Sequence, residues 1–184
     1  LEDRQGTISR VSGSITYPCS FMLIAAMNPC PCGYFGHPTR KCICSPKQVS
    51  SYLSKVSGPL LDRFDIHLEF ADLSSTAKEE SSASIRERVQ KARDIQNERF
   101  KGTSITCNAR ITSDILHEVC PVTDEASKLL ENVFDRLGLS ARAYDRILKV
   151  ARTVADMDGA KVIDKKHIAM AVQYRSLDRK YWNG

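Results

Sequence analysis

Long apolar runs are missing from this sequence of 184 residues. The longest covers seven residues, from Phe21 to Met27, whereas a helix needs about 18 apolar residues to cross a bilayer. No basic segment followed by an apolar run opens the chain, so we expect neither secretion nor a membrane partner and predict a cytoplasmic protein. Internal repeats are also absent, and a charged fraction of 27% with apolar residues throughout argues against disorder. The composition therefore predicts a globular protein with a buried core.

The positive charge is concentrated near the C-terminus. Residues 1–139 carry 17 basic and 17 acidic side chains, whereas residues 140–184 carry 10 basic and 5 acidic ones. Such an excess can face phosphate groups, although on a helix it is more often a solvated face.

Residues 1–80 are predicted to form an α/β domain that begins with a hairpin. The β-favouring segments 7–11 and 15–17 flank Ser12-Gly13-Ser14, which is typical of a turn between two strands. The apolar run 21–27 predicts a strand covered on both faces of a parallel sheet. The alternating segment 64–70 predicts a second strand of that sheet.

A loop and a short helix are predicted between these two strands. The loop, residues 29–46, is rich in Cys, Pro and Gly, and helical spacing follows near residues 47–56.

Residues 81–184 are predicted to form an all-α domain, with the boundary near residues 71–80. From Ser81 the apolar spacing becomes helical, and one face contains Ile85, Val89, Ala92 and Ile95. A link at residues 102–111 precedes three further helices. Their predicted N-caps are Thr123, Ser140 and Asp164, and Gly138 and Gly159 end the first two. The predicted inward residues are Ala143, Ile147, Val150 and Val154 in the second of these helices, and Ile168, Ala171 and Val172 in the third.

Four of the seven cysteines form two Cys-x-Cys pairs, which are Cys30 with Cys32 and Cys42 with Cys44. Because the chain has no secretory signal, we do not expect its cysteines to form a framework of disulfides. Four thiolates suit a tetrahedral zinc ion, and the glycines between the pairs permit the loop to fold back. We therefore predict a structural zinc site, with His37 as an alternative ligand. The competing interpretation is a loop of reduced cysteines without metal.

The remaining cysteines, Cys19, Cys107 and Cys120, are isolated in the sequence. We interpret them as apolar filling residues.

Three sequence motifs carry a family resemblance. They are AAMNPCPCG at residues 25–33, SGPLLDRFD at 57–65, and LSARAY at 139–144 continuing into KVARTVAD at 149–156. Together they resemble the Mg-chelatase-like AAA+ proteins of the ComM/YifB type over essentially the whole chain. The resemblance implies the C-terminal half of an AAA+ parallel-sheet core followed by a helical lid. It also implies an ATPase that uses ATP and Mg²⁺ and assembles as a ring, usually a hexamer.

The resemblance also implies roles for three residues. Asn28 matches the sensor 1 position, where a carboxamide can orient the attacking water and contact the γ-phosphate. Arg63 matches the arginine finger that reaches the neighbouring subunit's nucleotide. Arg142 matches sensor 2 in the lid, so it also contacts nucleotide. Each role has a competing interpretation. These are a turn at Asn28-Pro29, a surface ion pair between Asp62 and Arg63, and a solvated side chain at Arg142.

The loop G-x-x-x-x-G-K-[ST] that binds phosphates is missing from the sequence, as is an apolar strand ending in Asp-Glu. The first residues, Leu1-Glu2-Asp3, also contain no Met. We therefore predict a C-terminal fragment of a longer protein, inactive as an ATPase by itself.

Three functions remain open at this point. The first is a ComM-like DNA branch-migration helicase, in which Arg10 of the hairpin contacts DNA phosphates. The alternative interpretation of the hairpin is an ordinary hairpin at the edge of a sheet, without a DNA contact. The second is a chelatase-type ATPase that drives metal insertion into a tetrapyrrole. The third is a zinc-stabilised binding module without enzymatic activity. The Cys-x-Cys pairs favour the first over the second, because that loop resembles the ComM-like branch.

Overall fold

The computed structural model describes residues 5–69 and 80–175. These residues divide into two compact units. The hairpin unit comprises described residues 5–64, and the helical unit comprises residues 65–69 and 80–175. In the described part of the chain, no helix combines the length and the apolar character that crossing a membrane requires.

The hairpin unit begins with two antiparallel strands, as predicted. Strand β1 covers Gln5–Arg10 and β2 covers Gly13–Pro18. Ile8 is paired with Ile15, and hydroxyl pairs line the opposite face, Thr7 with Thr16 at 3.0 Å and Ser9 with Ser14 at 2.8 Å. The hairpin prediction is therefore confirmed.

The predicted strand at residues 21–27 is wrong. This segment has no regular secondary structure, and its large apolar side chains are exposed, 61% for Phe21 and 81% for Ile24. A strand of a parallel sheet requires hydrogen-bonded neighbours on its edges. The only sheet among the described residues is the β1–β2 hairpin, so the apolar run has nothing to pair with.

The second predicted strand, at residues 64–70, is also wrong in its described part. Residues 64–69 are irregular, and Phe70 lies outside the described residues. The backbone N–H of His67 donates to the carbonyl oxygen of Tyr174 at 2.6 Å, so this segment is fixed to a helix end rather than to a sheet.

The predicted short helix is present as α1, Pro46–Leu53, and is followed by the single turn α2, Gly58–Leu61. Ser45 and Gln48 form a reciprocal capping box at the start of α1. Pro46 occupies the first turn, where its missing N–H costs no hydrogen bond. Residues directly after Cys44 therefore start this helix.

The helical unit contains five α-helices and one 3₁₀ turn among its described residues. In chain order these are α3 Ser82–Arg99, the 3₁₀ turn Asn108–Arg110, α4 Leu116–Val119, α5 Asp124–Leu137, α6 Ala141–Met157 and α7 Lys165–Gln173. The predicted caps are confirmed: the side chains of Thr123, Ser140 and Asp164 accept backbone N–H groups at the starts of α5, α6 and α7. Gly138 ends α5 with φ +53°, a conformation that favours glycine. The short α4 was not predicted.

A single apolar core holds this unit together. Its large buried side chains come from α4 to α7, from the residue that follows α3 and from the connecting segments, and include Phe100, Ile111, Leu116, Leu130, Ile147, Leu148, Ile163 and Ile168. The predicted inward residues of α7 are confirmed for Ile168 and Ala171, with Val172 half-buried against the same core.

The predicted apolar face of α3 is wrong at three of its four residues. Ile85, Val89 and Ile95 are 41%, 46% and 37% exposed, whereas Ala92 is buried as predicted and Gln96 is buried beside it. Gln96 accepts the backbone N–H of Asn108 with its side-chain oxygen at 3.1 Å. The two buried residues of α3 therefore both lie in the C-terminal half of the helix.

The predicted inward face of α6 is partly wrong. Ala143 and Ile147 are buried as expected and Val150 is half-buried against the core, but Val154 is half-buried outside that cluster. The charged residues Arg152 and Asp156 are fully buried instead.

A polar network explains this burial. The carboxylate of Asp156 accepts two hydrogen bonds from Arg99, one from Arg152 at 3.1 Å and one from Asn108 at 2.7 Å. Arg152 also donates to the carbonyl oxygens of Ala160 and Lys161, just beyond the end of α6. Desolvation by burial lowers the pKa of Arg152, and Asp156 opposes that shift. The buried charges are tolerated because their hydrogen-bonding capacity is used.

Candidate functional site

The cysteine loop folds back as its sequence predicts. Gly33 adopts φ +82°, a conformation that favours glycine, and its N–H donates to the carbonyl oxygen of Cys30 at 3.0 Å. The turn brings the Cys30/Cys32 pair against the Cys42/Cys44 pair.

The four sulfur atoms form one compact group. Cys30 Sγ lies 3.4 Å from Cys32 Sγ and 3.7 Å from Cys42 Sγ, and the distance from Cys32 Sγ to Cys42 Sγ is 3.5 Å. All four sulfur atoms, including that of Cys44, lie within 4.8 Å of one another. All seven cysteines lie in the described residues and are free thiols there, and the four donors together could hold a metal ion.

Helix α1 supports this group from one side. Cys30 is completely buried, and Val49 and Leu53 of α1 form a small buried cluster with it. Because Cys44 directly precedes the Ser45 cap, the start of α1 also fixes the last of the four cysteines.

Backbone dipoles and neighbouring thiols act differently on individual sulfur atoms. The backbone N–H groups of Tyr34 and Ile43 donate to Cys32 and lower its pKa to about 6. For Cys42, the backbone N–H of Cys44 lowers the pKa, but desolvation and the neighbouring thiols outweigh it and raise the pKa to about 12. Desolvation also raises the pKa of Cys44. The surroundings therefore favour the thiolate form of Cys32 over that of Cys42 or Cys44.

His37, the predicted alternative ligand, is not part of the four-sulfur group. Its Nδ1 accepts the backbone N–H groups of Thr39 and Arg40, at 3.2 Å and 3.0 Å. These hydrogen bonds give His37 a role in shaping the loop between the two pairs.

The isolated cysteines lie apart from this group. Cys120 is buried in the core of the helical unit, as expected for an apolar filling residue, and burial raises its pKa to about 11. Cys19 and Cys107 are half-buried.

Asn28 is exposed and directly precedes Pro29 and the first cysteine. Its side chain lies against Gly33, where an added Cβ atom would be 3.9 Å from the Asn28 carboxamide. The fold of the cysteine loop therefore influences where this carboxamide can lie.

Arg63 follows the short helix α2 and is half-buried. Its Nη1 donates to the carbonyl oxygen of Pro59 at 2.8 Å, so the guanidinium lies back over the turn that precedes it.

Arg142 lies in the first turn of α6 and is exposed. One helical turn later, Arg146 Nη1 is 2.5 Å from the carboxylate of Asp65, and its side chain is 15% exposed. This ion pair was not predicted, since the two residues are 81 positions apart and no local spacing relates them. It holds the segment that follows Arg63 against α6.

The hairpin presents Arg10 at its exposed end, next to the turn. Ile8, Ile15 and Tyr17 are 53%, 58% and 48% exposed on the same strands. A cation beside the turn and an aromatic ring near the other end of the hairpin are therefore both accessible.

Two family models match the chain in succession. The model described as magnesium chelatase, subunit ChlI, matches residues 1–78, and the one described as magnesium chelatase, subunit ChlI C-terminal, matches residues 79–175. The chain therefore belongs to the Mg-chelatase-like family.

Curated relatives narrow this assignment. The chain is 42% identical to the uncharacterized protein YifB of Escherichia coli and 40% identical to the competence protein ComM of Haemophilus influenzae, in both cases over 97% of the chain and 35% of the relative. It is 34% identical over 95% of the chain to an uncharacterized protein of Mycobacterium tuberculosis. Within the family it is of the ComM/YifB type. The chain spans about a third of the length of these relatives.

Proposed function

We propose that this chain works as part of a ring-forming AAA+ ATPase that remodels DNA, in the manner of a ComM-like branch-migration helicase. The observation that carries the proposal is the 40% identity to the competence protein ComM over 97% of the chain. In this proposal ATP and Mg²⁺ are the cofactors of the full-length protein, and the active assembly is a homohexamer. The AAA+ core and the boundary near residue 80 remain predictions, as does the inactivity of the chain alone.

Three side chains have the chemistry that ATP hydrolysis requires. The Asn28 carboxamide offers a donor and an acceptor for a water molecule beside the γ-phosphate. The Arg63 guanidinium, at the edge of a short helix, stabilises charge on the neighbouring subunit's nucleotide. Arg142 in the first turn of α6 contacts the nucleotide from the lid, and its exposure supports this role.

Arg10 is the proposed contact to DNA. A guanidinium at the end of an exposed hairpin can pair with phosphate oxygens without reading sequence, which suits an enzyme that moves along DNA. Hydroxyl groups on the opposite face of the hairpin can add weaker phosphate contacts.

The full-length protein tests the arginine finger. In an assembled ring, Arg63→Ala should lower ATP turnover by about 10³-fold while ATP binding changes much less, because the finger stabilises charge mainly in the transition state. Arg63→Lys should restore little, since an ammonium group lacks the planar fork. Arg86→Ala is the matched control, since Arg86 is an exposed arginine of α3.

Mixing variants tests the sharing of sites between subunits. Arg63→Ala subunits combined with subunits mutated in their own phosphate-binding loop should recover partial turnover, because the finger acts in trans. Normal turnover by Arg63→Ala in an assembled ring would contradict the finger assignment and make Arg63 a structural residue.

A second candidate function is supported by the family descriptions, which name magnesium chelatase. In that function the same ATPase drives metal insertion into a tetrapyrrole. Migration of a four-way DNA junction that depends on ATP and is lost in Arg63→Ala would favour the helicase. ATP hydrolysis without any effect on the junction, combined with stimulated metal insertion, would favour the chelatase.

A further inference from the structure

We propose that Cys30, Cys32, Cys42 and Cys44 bind one zinc ion as four thiolates, and that this structural site holds the loop of residues 29–44 on α1. The proposal goes beyond the ATPase function, because none of the nucleotide-contacting residues takes part in it.

The sulfur positions fit a tetrahedral zinc ion. A zinc–sulfur distance of about 2.3 Å in a tetrahedron places neighbouring sulfur atoms about 3.8 Å apart. The three short sulfur–sulfur distances here are 3.4 Å, 3.7 Å and 3.5 Å. An ion among the four atoms therefore needs only small outward movements of the side chains.

The loop exposes its large apolar side chains and encloses its sulfur atoms, which is the reverse of an apolar core. Ile43, between the two cysteines of the second pair, is 86% exposed, and Phe35 is 40% exposed. Cys30 is completely buried, and the other three sulfur ligands are half-buried. Apolar packing would bury the isoleucine and the phenylalanine first, because they remove more apolar surface from water. A loop that encloses sulfur and exposes these residues is organised for a sulfur-binding ion.

The surroundings of the sulfur atoms favour a closed, structural site. Four protein ligands complete a tetrahedron and leave no position for water or substrate. The backbone N–H groups of Tyr34 and Ile43 donate to Cys32, as expected for a sulfur ligand stabilised by its surroundings. Among the described residues of this unit, only Val49 and Leu53 join Cys30 in the buried cluster. So small a core benefits from the folding free energy that a metal supplies.

Zinc is the ion to which we commit. Tetrahedral sets of four sulfur ligands bind zinc or iron, and zinc adds no redox chemistry to a loop that serves as support. Iron is therefore an outcome that the experiment must separate from zinc.

Metal analysis of the chain, purified and kept reduced, gives the first test. We expect about one zinc per chain in the unmodified protein, and none in a Cys42→Ser, Cys44→Ser double variant. Cys107→Ser is the matched control, because it makes the same chemical change at a half-buried cysteine outside the group and should keep one zinc. Unmodified protein without zinc would overturn the proposal, as would one equivalent of iron in its place.

Cobalt(II) gives a second test that does not depend on whether the variants fold. Added to metal-free unmodified protein, it should produce the visible and thiolate-to-metal absorption of a tetrahedral four-sulfur site, saturating at one equivalent. Zinc should then displace it. An octahedral cobalt spectrum, or saturation that persists after the thiols are alkylated, would overturn the assignment. Neither measurement uses ATP, so failure of the zinc site and failure of the ATPase proposal are distinguishable.

Discussion

The hairpin unit and the helical unit differ in what stabilises them. In the described residues of the helical unit, thirteen buried apolar residues form one cluster, whereas the corresponding cluster of the hairpin unit has three. The helical unit adds the buried network around Asp156. The hairpin unit instead brings four cysteine sulfur atoms together beside α1.

This difference shows two ways to stabilise a polypeptide of modest size. Helices with one apolar face each bury that face against the others and need no cofactor. A loop rich in Pro and Gly buries little apolar surface, and the proposed zinc site would supply the cross-link that this packing lacks. Substitutions in the two units should therefore have unequal effects.

The largest expected effect lies in the helical unit, at Asp156. Asp156→Ala leaves Arg99 and Arg152 without their carboxylate, and the side chain of Arg152 is 1% exposed. We expect a loss of about 3–5 kcal/mol in the free energy of unfolding, measured by denaturant titration followed by circular dichroism.

Two further variants make that result specific. Asp135→Ala, at an exposed position of α5, should change the free energy of unfolding by no more than about 0.5 kcal/mol. Asp156→Asn keeps hydrogen-bonding oxygen at the site and should recover part of the loss. A cost below about 1 kcal/mol for Asp156→Ala would mean that the network contributes little and that the apolar core alone stabilises this unit.

Sequence patterns predicted local features better than long-range ones. The caps at Thr123, Ser140 and Asp164 were predictable, because a cap depends on side chains within three residues of the helix start. The apolar run at 21–27 was interpreted as a strand, but strand formation depends on partners elsewhere in the chain, and the described residues offer none.

The face of α6 shows the same limit. Charged residues are rarely buried unless they are paired, so a face predicted from apolar spacing does not include Arg152 and Asp156. Their partners Arg99 and Asn108 precede Asp156 by 57 and 48 residues, a separation at which no spacing rule operates. The only local signal was the four-residue spacing of Arg152 and Asp156.

The candidate site was predictable in part for the same reason. Two Cys-x-Cys pairs with intervening glycines predicted that the four sulfur atoms meet, and they do. The ion pair between Asp65 and Arg146 joins distant segments and left no trace in the sequence pattern. Whether Asn28, Arg63 and Arg142 act on a nucleotide stays a prediction.

A matched pair of leucine substitutions tests whether the two units depend to different extents on apolar packing. Leu130 and Leu53 are both buried, at 1% and 6% exposure, but Leu130 belongs to the large core and Leu53 to the small cluster. Leu130→Ala should cost about 2–5 kcal/mol in its own unit, and Leu53→Ala should cost less, because fewer neighbours lose contact with the removed atoms.

Hydrogen exchange measures the two costs separately, since it reports the opening free energy of each segment. Exchange of the α1 amides reports the opening free energy of the hairpin unit, and exchange of the α5 amides reports that of the helical unit. Equal losses at the two sites would contradict the view that the hairpin unit depends little on apolar packing.

The smallest expected effect concerns an exposed ion pair at the start of α7. Asp158 Oδ2 lies 2.6 Å from Lys166 Nζ and 3.2 Å from His167 Nε2, and the Asp158 side chain is 43% exposed. Hydrogen bonds from Lys166 and then from His167 lower the pKa of Asp158 below its ordinary value of 3.8. Because the pKa is lower in the folded state, these contacts stabilise the fold at pH values above 3.8, and the contribution is lost as the pH falls through the folded value.

Asp158→Asn should therefore lower the free energy of unfolding by at most about 1 kcal/mol at neutral pH, because solvent screens an exposed pair. The difference in the free energy of unfolding between the variant and the unmodified protein should shrink in high salt. It should disappear in acid, where Asp158 is protonated and is uncharged like the asparagine that replaces it. Glu118→Gln, which removes one negative charge from an exposed position of α4, is the control and should have almost no effect at any pH. A loss for Asp158→Asn that persists unchanged in acid would contradict the ionic explanation. The contribution of Asp158 would then come from hydrogen bonds at the start of α7 that do not depend on its charge. Uncharged polar contacts, rather than an ion pair, would stabilise that end of the helix.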